Sequence, residues 1–374
     1  MSYEETPAVV IDNGSTFIKV GFVGEKKPQV VIPAVVGRPR HKGVMVGMGN
    51  QDRYGTAALE SQGILTIINP IEYGIITRWD DMEMLWKHIF KNELQIEPSE
   101  HAVLLTTPTL CPNNIRARMI DSMLRFTFPA SYICCAQKLS LLASGRTTGI
   151  VLDVGDRVTE VVPFNDGSRI AISTLTTHKG GYDLSDYLGK ILSENGHRFT
   201  STAERKILYD IKEQLCYVAL DFDQEMSLAS TSATIKRNFE MPDGNIISIG
   251  SERFRCPEAL FKPNFSLGTG GIHNLVYQTI MRCDDSIRPA LFANVVVASG
   301  STLFPGFVER LQKELTALAP SNMKVNIIAP PDRGTSAWYG GTMLASSDGF
   351  ENRWIKTEEY YELGPSIVPR KCPD

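Results

Sequence analysis

The sequence predicts an α/β protein built from two duplicated halves. Its 374 residues point to two domains, or to one domain with a deep internal division. Segments of strand character alternate with segments of helical period. One strand–turn–strand pattern also occurs twice, at residues 9–22 and 150–164.

The first copy reads VVIDNGSTFIKVGF and the second IVLDVGDRVTEVVPF. Each has an apolar run, then Asp-x-Gly with a polar residue, then a second strand-like run. Each predicts a β-hairpin with its tight turn at Asp12-Asn13-Gly14 or Asp153-Val154-Gly155-Asp156. Glycine there permits φ > 0 and removes side-chain bulk. Successive N–H groups in such a turn can form an anion-binding nest. An aspartate at the turn can hold Mg²⁺ through water, and Lys19 on the outgoing strand can reach a phosphate as a point charge. Two unrelated hairpins with ordinary Asp-Gly turns are the alternative. The duplication favours two hairpins clamping a phosphate tail.

Between the copies, residues 79–94 (WDDMEMLWKHIFKNEL) predict a helix with Asp80 and Asp81 at its positive end. Met82, Leu85, Trp86, Ile89 and Phe90 form its apolar side. After the second copy, residues 201–220 predict a longer helix. Ser201 and Glu204 fit a capping box, and Ile207, Leu208, Ile211, Leu215 and Val218 carry the 3.6 period. Lys212 and Glu213 sit mid-helix and read by default as solvated surface. In residues 294–315 a β-branched run meets Gly300, and a helical pattern follows Pro305 and Gly306. Such a turn can offer N–H groups to a ligand, or be an ordinary strand–helix connection.

Composition excludes several classes. With 38 basic and 42 acidic residues the net charge is −4, against a general nucleic-acid binder. No apolar run approaches the ~18 residues of a membrane span, and MSYEETPAVV lacks the basic and apolar regions of a signal peptide. No membrane or direct nucleic-acid partner is expected. The seven cysteines lack CxxC spacing and read as free thiols in a reducing compartment. There is no Walker loop, no GxGxxG between strand and helix, no GxSxG and no HExxH. A phosphorylated ligand would need the hairpin device.

Long runs then carry a resemblance. IDNGS, VGRPRHKGVMVGMGNQD (36–52), WDDME (79–83), ASGRTTGIVLD (143–153), DIKEQLCYVALDFDQEM (210–226), ERFRCPEALF (252–261) and GPSIVPRKC (364–372) resemble actin, from Ala8 to Cys372. The resemblance implies an actin-like ATPase fold, two duplicated RNase H-like domains around a nucleotide cleft that holds ATP or ADP with Mg²⁺ (or Ca²⁺ in its place). It implies a small domain of 1–136 plus 336–374, with 33–69 as its upper insertion. The large domain is 137–335, with 180–268 as its insertion. Asp12, Asn13, Gly14, Ser15 and Lys19 match the first phosphate loop of actins, and Asp153, Gly155 and Asp156 the second. Asp12 and Asp153 would hold the metal through water. Lys212 and Glu213 match ribose- and adenine-holding residues, which displaces their surface reading. Gly300, Thr302 and Phe304 match the nucleotide-facing turn, and Gly180, Gly181 and Asp183 the matching turn of the large domain.

The departures are specific. The glutamine that positions the attacking water in actins falls at Ala136, and Gln137 is one residue and about 100° further round a helix. A histidine becomes Glu160, a serine Val154, and a glycine Arg157, costly if that turn needs φ > 0. Near the adenine, Tyr209, Phe304, Gly334 and Thr335 replace the usual residues, and Tyr73 replaces the often methylated histidine. Gln137 and Glu160 are therefore weak substitutes, and ATP binding with slow hydrolysis is expected.

His41 to Asn50 matches the loop that actin inserts into the next subunit, with His41, Val44, Met45 and Met48 as contacts. Read alone, such a loop is either tucked onto its own core or offered to a partner. Leu142, Tyr339, Met343 and Leu344 match the apolar groove for partner helices, where Ser347 and Arg353 replace apolar residues. Ser2 to Glu5 holds two acids where actins often have a denser cluster. The expected function is a divergent actin-family cytoskeletal subunit with other actin-family subunits as partners and altered choice among actin-binding proteins. The alternatives are a conventional dynamic actin ATPase and a non-polymerising subunit of a remodelling, dynein or axonemal complex, with a sugar-kinase or chaperone relative more distant. The expected location is the cytoplasmic cytoskeleton, or a nuclear or axonemal complex.

Overall fold

A computed structural model describes residues 6–40, 52–199, 202–262 and 270–373. The expected contacts of His41, Val44, Met45 and Met48, and the capping box at Ser201, lie outside the described residues. The chain divides into two units. The first comprises Met1–Val151, Phe164–Arg169 and Asp332–Asp374, the second Leu152–Pro163 and Ile170–Pro331.

The first unit is built on a sheet with the order Ile355–Lys356, Ala130–Cys135, Val103–Thr107, Val9–Asn13, Phe17–Phe22, Val30–Pro33. Val9–Asn13 pairs in parallel with Val103–Thr107, which pairs in parallel with Ala130–Cys135. These three strands are buried along their whole length, as expected for parallel strands covered on both faces. The outer strands Phe17–Phe22 and Val30–Pro33 pair antiparallel and are only partly buried.

Two helices, Ala136–Ala143 and Ser336–Ala345, lie close together on this sheet. A Cβ on Gly340 would stand 1.9 Å from the Leu139 carbonyl oxygen, and one on Gly341 2.7 Å from Val10 Cγ1. Only glycine permits that approach. Trp338 fills the contact and donates its Nε1–H to the Val10 carbonyl at 3.1 Å.

The expected helix at 79–94 is continuous. Trp79–His88 is α-helical and Ile89–Leu94 finishes as a π-helical segment. Met82, Leu85, Trp86, Ile89 and Phe90 are all buried. Asp81 is buried too, and pairs with Arg38.

The second unit contains the strands Thr159–Asn165, Gly149–Val154, Val295–Ala298 and Ile327–Ile328 as one sheet path, the first two being strands that the division crosses. Leu175–Thr177 pairs with Thr159–Asn165. The helices Gly181–Ser193, Thr202–Leu215 and Glu252–Glu258 pack beside one another. The second of these stops at Leu215, short of the expected residue 220. Its end is fixed by groups distant in sequence. Arg253 Nε donates to the Leu215 carbonyl, Tyr217 N–H goes to the Arg253 carbonyl and Val218 N–H to the Pro305 carbonyl. Val218 is buried, but off the helix. All seven cysteines are buried free thiols, and no helix among the described residues is long and apolar enough to cross a membrane.

Candidate nucleotide site

Both repeats fold as predicted into strand–turn–strand, with one correction. The aspartates end strands and do not occupy the turns. Asp12 is the penultimate residue of Val9–Asn13 and Asp153 the penultimate residue of Gly149–Val154, and a glycine follows each strand. Neither Gly14 nor Gly155 has a positive φ. Their reason is close approach. A Cβ on Gly14 would lie 2.5 Å from the Phe17 carbonyl oxygen, and one on Gly155 3.1 Å from the Val158 carbonyl oxygen, three residues on in both copies. Arg157 has no positive φ either, so the cost expected of it at that turn does not arise.

In the first unit, Asp12 is 7% exposed. It accepts from Lys19 Nζ at 2.8 Å, its cross-strand partner, and from the Thr106 hydroxyl at 2.8 Å. The same hydroxyl oxygen accepts the Asn13 N–H at 3.0 Å. Thr106 is there because the parallel register sets Ile11 beside Leu105. Trp86 Nε1 donates to Asn13 Oδ1 at 3.1 Å, while the buried Asn13 Nδ2 has no hydrogen-bond partner among the described residues. Ser15 Oγ accepts the Gly74 N–H at 3.0 Å from the left-handed Tyr73–Gly74 turn.

In the second unit, the helix Gly181–Ser193 docks its start onto the second turn. Gly181 N–H bonds the Gly155 carbonyl at 3.0 Å and Tyr182 N–H the Asp156 carbonyl at 2.8 Å. A Cβ on Gly180 would stand 2.4 Å from the Gly155 carbonyl oxygen, and one on Gly181 2.5 Å from Ser301 Oγ. Ser301 Oγ donates to the Gly155 carbonyl at 2.9 Å. Asp183 caps the helix by accepting the Gly180 N–H at 3.0 Å, and pairs with Lys179 at 3.0 Å. Lys212 is 5% exposed, which overturns its default surface reading. Its ammonium donates to the Gly181 carbonyl at 2.8 Å and lies 4.4 Å from the centre of the Tyr209 ring. Burial lowers its pKa, against the pull of Asp156. Glu213, the next residue, is exposed. The Tyr209 hydroxyl donates to Asp156 Oδ1 at 3.4 Å, and burial raises its pKa. Gly300–Thr302 forms a 3₁₀ turn after Val295–Ala298, with the positive φ on Ser299. Thr302 and Phe304 are buried, and the following helix starts only at Phe307.

Each unit carries an aspartate–glycine hairpin, and the second adds a buried lysine and a helix seated on glycines. A family model described as Actin matches residues 3–373. The chain belongs to the actin family. That family generally binds ATP or ADP with a divalent cation. The residues of this actin-family chain fit such a ligand. Asn13 Nδ2 is a buried donor without an acceptor among the described residues, and a Cβ at Gly14, Gly180 or Gly181 would crowd the turns on either copy.

Gln137 follows Ala136 at the start of its helix, and is 3% exposed. Its Oε1 accepts the Thr109 hydroxyl at 2.7 Å. Glu160 is 4% exposed on the strand Thr159–Asn165, opposite Thr176. The groove residues divide by exposure. Leu142, Tyr339, Met343 and Leu344 are half-buried on the two packed helices of the first unit, whereas Ser347 and Arg353 are exposed.

Sequence reasoning missed Thr106, Trp86 and Ser301. Only Ser301 had a local signal, its place beside Gly300 in the turn. Thr106 and Trp86 reach Asn13 through pairing and packing across more than 70 residues.

Proposed function

We propose that this actin-family protein binds one ATP or ADP with Mg²⁺, or Ca²⁺ in its place. We further propose that it assembles with other actin-family subunits and hydrolyses ATP slowly. The observation that carries the reading is the twice-built hairpin: a buried aspartate two residues before a glycine whose Cβ position is crowded by the carbonyl three residues on. Asp12 and Asp153 are assigned to the metal's water shell, and Gly14, Ser15, Lys19, Gly155 and Asp156 to the phosphates. Lys212, Glu213, Gly300, Thr302 and Phe304 are assigned to the nucleoside. When bound, the metal would offset phosphate charge.

Slow hydrolysis follows from the side chains at the water-orienting positions. Ala136 offers no hydrogen bond. Gln137 already gives its carbonyl oxygen to Thr109 inside the first unit. Glu160 would bring negative charge beside a polyanion, where an imidazole is usual. Assembly rests on family membership and on the sequence of the 41–50 loop. Altered partner choice rests on exposed Arg353 and Ser347 at the rim of the groove. A cytoplasmic cytoskeletal location is part of the same proposal.

Sedimentation with and without Mg-ATP, with phosphate release followed in the same sample, tests this. The expected result is Mg-ATP-dependent pelleting with phosphate release far behind it. Release keeping pace with assembly would overturn the slow-hydrolysis reading, and a permanently soluble chain would overturn self-assembly in favour of a fixed structural subunit.

A further inference from the structure

We propose that a basic cavity on the second unit is a binding site for a dianionic phosphate group, free or carried on a small molecule. The cavity measures about 310 Å³. It lies beside the helices Gly181–Ser193 and Thr202–Leu215, and none of its lining residues belongs to the nucleotide site described above. Among the described lining residues, Lys190, Arg198 and Arg205 supply three cations and Asp186 the single carboxylate. Ser193 adds a hydroxyl, and Phe199 and Leu208 an apolar wall. Gly189 lets the two helices close up, because a Cβ there would already press Leu208 Cδ1 at 3.1 Å.

Arg205 is the preorganised member. Its Nη2 pairs with Asp186 at 2.9 Å, and its guanidinium lies 4.4 Å from the centre of the Tyr182 ring. The same ring carries Arg157 at 3.5 Å, so Tyr182 contacts two guanidiniums. Held this way, Arg205 keeps its Nη1 enclosed, with no hydrogen-bond acceptor among the described residues. An enclosed guanidinium N–H without an acceptor is costly. The Arg205 side chain as a whole is 36% exposed and lines the cavity, so an oxyanion there meets the guanidinium beside this unsatisfied group.

The charge balance selects the ligand. Asp186 offsets one of the three cations, leaving two positive charges among the lining residues. That matches a phosphate dianion, whose several oxygens can accept from Arg205, Arg198, Lys190 and Ser193 together. The volume sits at the lower bound of small-ligand pockets, enough for a phosphate group with a small organic body.

The test is titration calorimetry of the full chain with inorganic phosphate, at constant ionic strength and with a saturating non-hydrolysable Mg-ATP analogue. Saturable binding is expected, weakened about tenfold or more by Lys190→Gln with Arg198→Gln. Both side chains are exposed, so the variant should keep the parent's thermal transition. Sulfate should compete and chloride should not. Glycerol phosphate separates the sources: tighter binding than phosphate supports a phosphorylated small molecule, and equal or weaker binding supports the free ion. No saturable phosphate binding, equal binding by parent and variant, or binding of a glutamate-rich peptide without phosphate binding would each overturn the proposal.

Discussion

Replacing Asp12 by Asn should destabilise the first unit by about 2 kcal/mol without any nucleotide present. Asn keeps an oxygen for the Thr106 hydroxyl but turns an amide N–H₂ toward Lys19 Nζ, which now stands at 2.8 Å from a carboxylate oxygen. One charge-assisted bond is lost, worth about 1.5–3 kcal/mol. The Lys19 side chain is 19% exposed and that of Asp12 10%, so water recovers part of the loss. Lys19→Met strands the carboxylate instead and should cost a similar amount. The double variant Asp12→Asn with Lys19→Met removes both ends and should cost less than the two single costs combined, by about 2 kcal/mol. All four tryptophans, Trp79, Trp86, Trp338 and Trp354, belong to the first unit, so tryptophan fluorescence reads that unit alone during urea unfolding. Removing nucleotide as well as divalent metal from every sample takes ligand linkage out of the comparison. A single-variant cost under about 0.5 kcal/mol, or additive costs in the double variant, would refute the ion pair as a structural element of the hairpin.

Other consequences are equally direct. Gly340→Ala should cost about 3 kcal/mol or more, because its Cβ meets the Leu139 backbone oxygen, which cannot rotate away; an unchanged urea midpoint would contradict that. Burial raises the pKa of Tyr209 and Tyr132 above the ordinary 10.0. Their contribution to stability is therefore complete below pH 10 and falls as pH rises beyond it, since the unfolded chain releases those protons first. Tyr209→Phe should flatten the alkaline loss of thermal stability. Ala136→Gln with Glu160→His should raise phosphate release by about tenfold or more with little change in nucleotide affinity; an unchanged rate would show that those positions do not limit it. Ser347→Leu with Arg353→Met should tighten binding of a profilin- or gelsolin-type partner, and tight binding by the unmodified protein would dismiss the groove effect.

The hairpins were legible because their signal is local: an apolar run, Asp-x-Gly and a second apolar run within about fifteen residues. The 79–94 helix was legible because five apolar residues share one face. The purpose of the turn glycines was only half legible. Sequence suggests backbone freedom, whereas Gly14 and Gly155 have no positive φ and serve close approach to a carbonyl. The helix beginning at Thr202 was overextended because its stop signal comes from Arg253 and Pro305, far along the chain. Lys212 looked like surface from helical period alone. Its burial depends on the Gly181 carbonyl and Tyr209 ring meeting it in three dimensions. Thr106 was invisible for the same kind of reason, since only the parallel register brings it to Asp12.

The central claim is that both aspartate–glycine turns serve one bound adenine nucleotide. It is tested most directly by acid extraction of freshly purified native protein, with adenine nucleotide and divalent metal counted per chain. One nucleotide and one metal per chain are predicted, with both reduced in Asp12→Ala. A well-folded preparation that carries neither, and takes up neither from Mg-ATP, would contradict it.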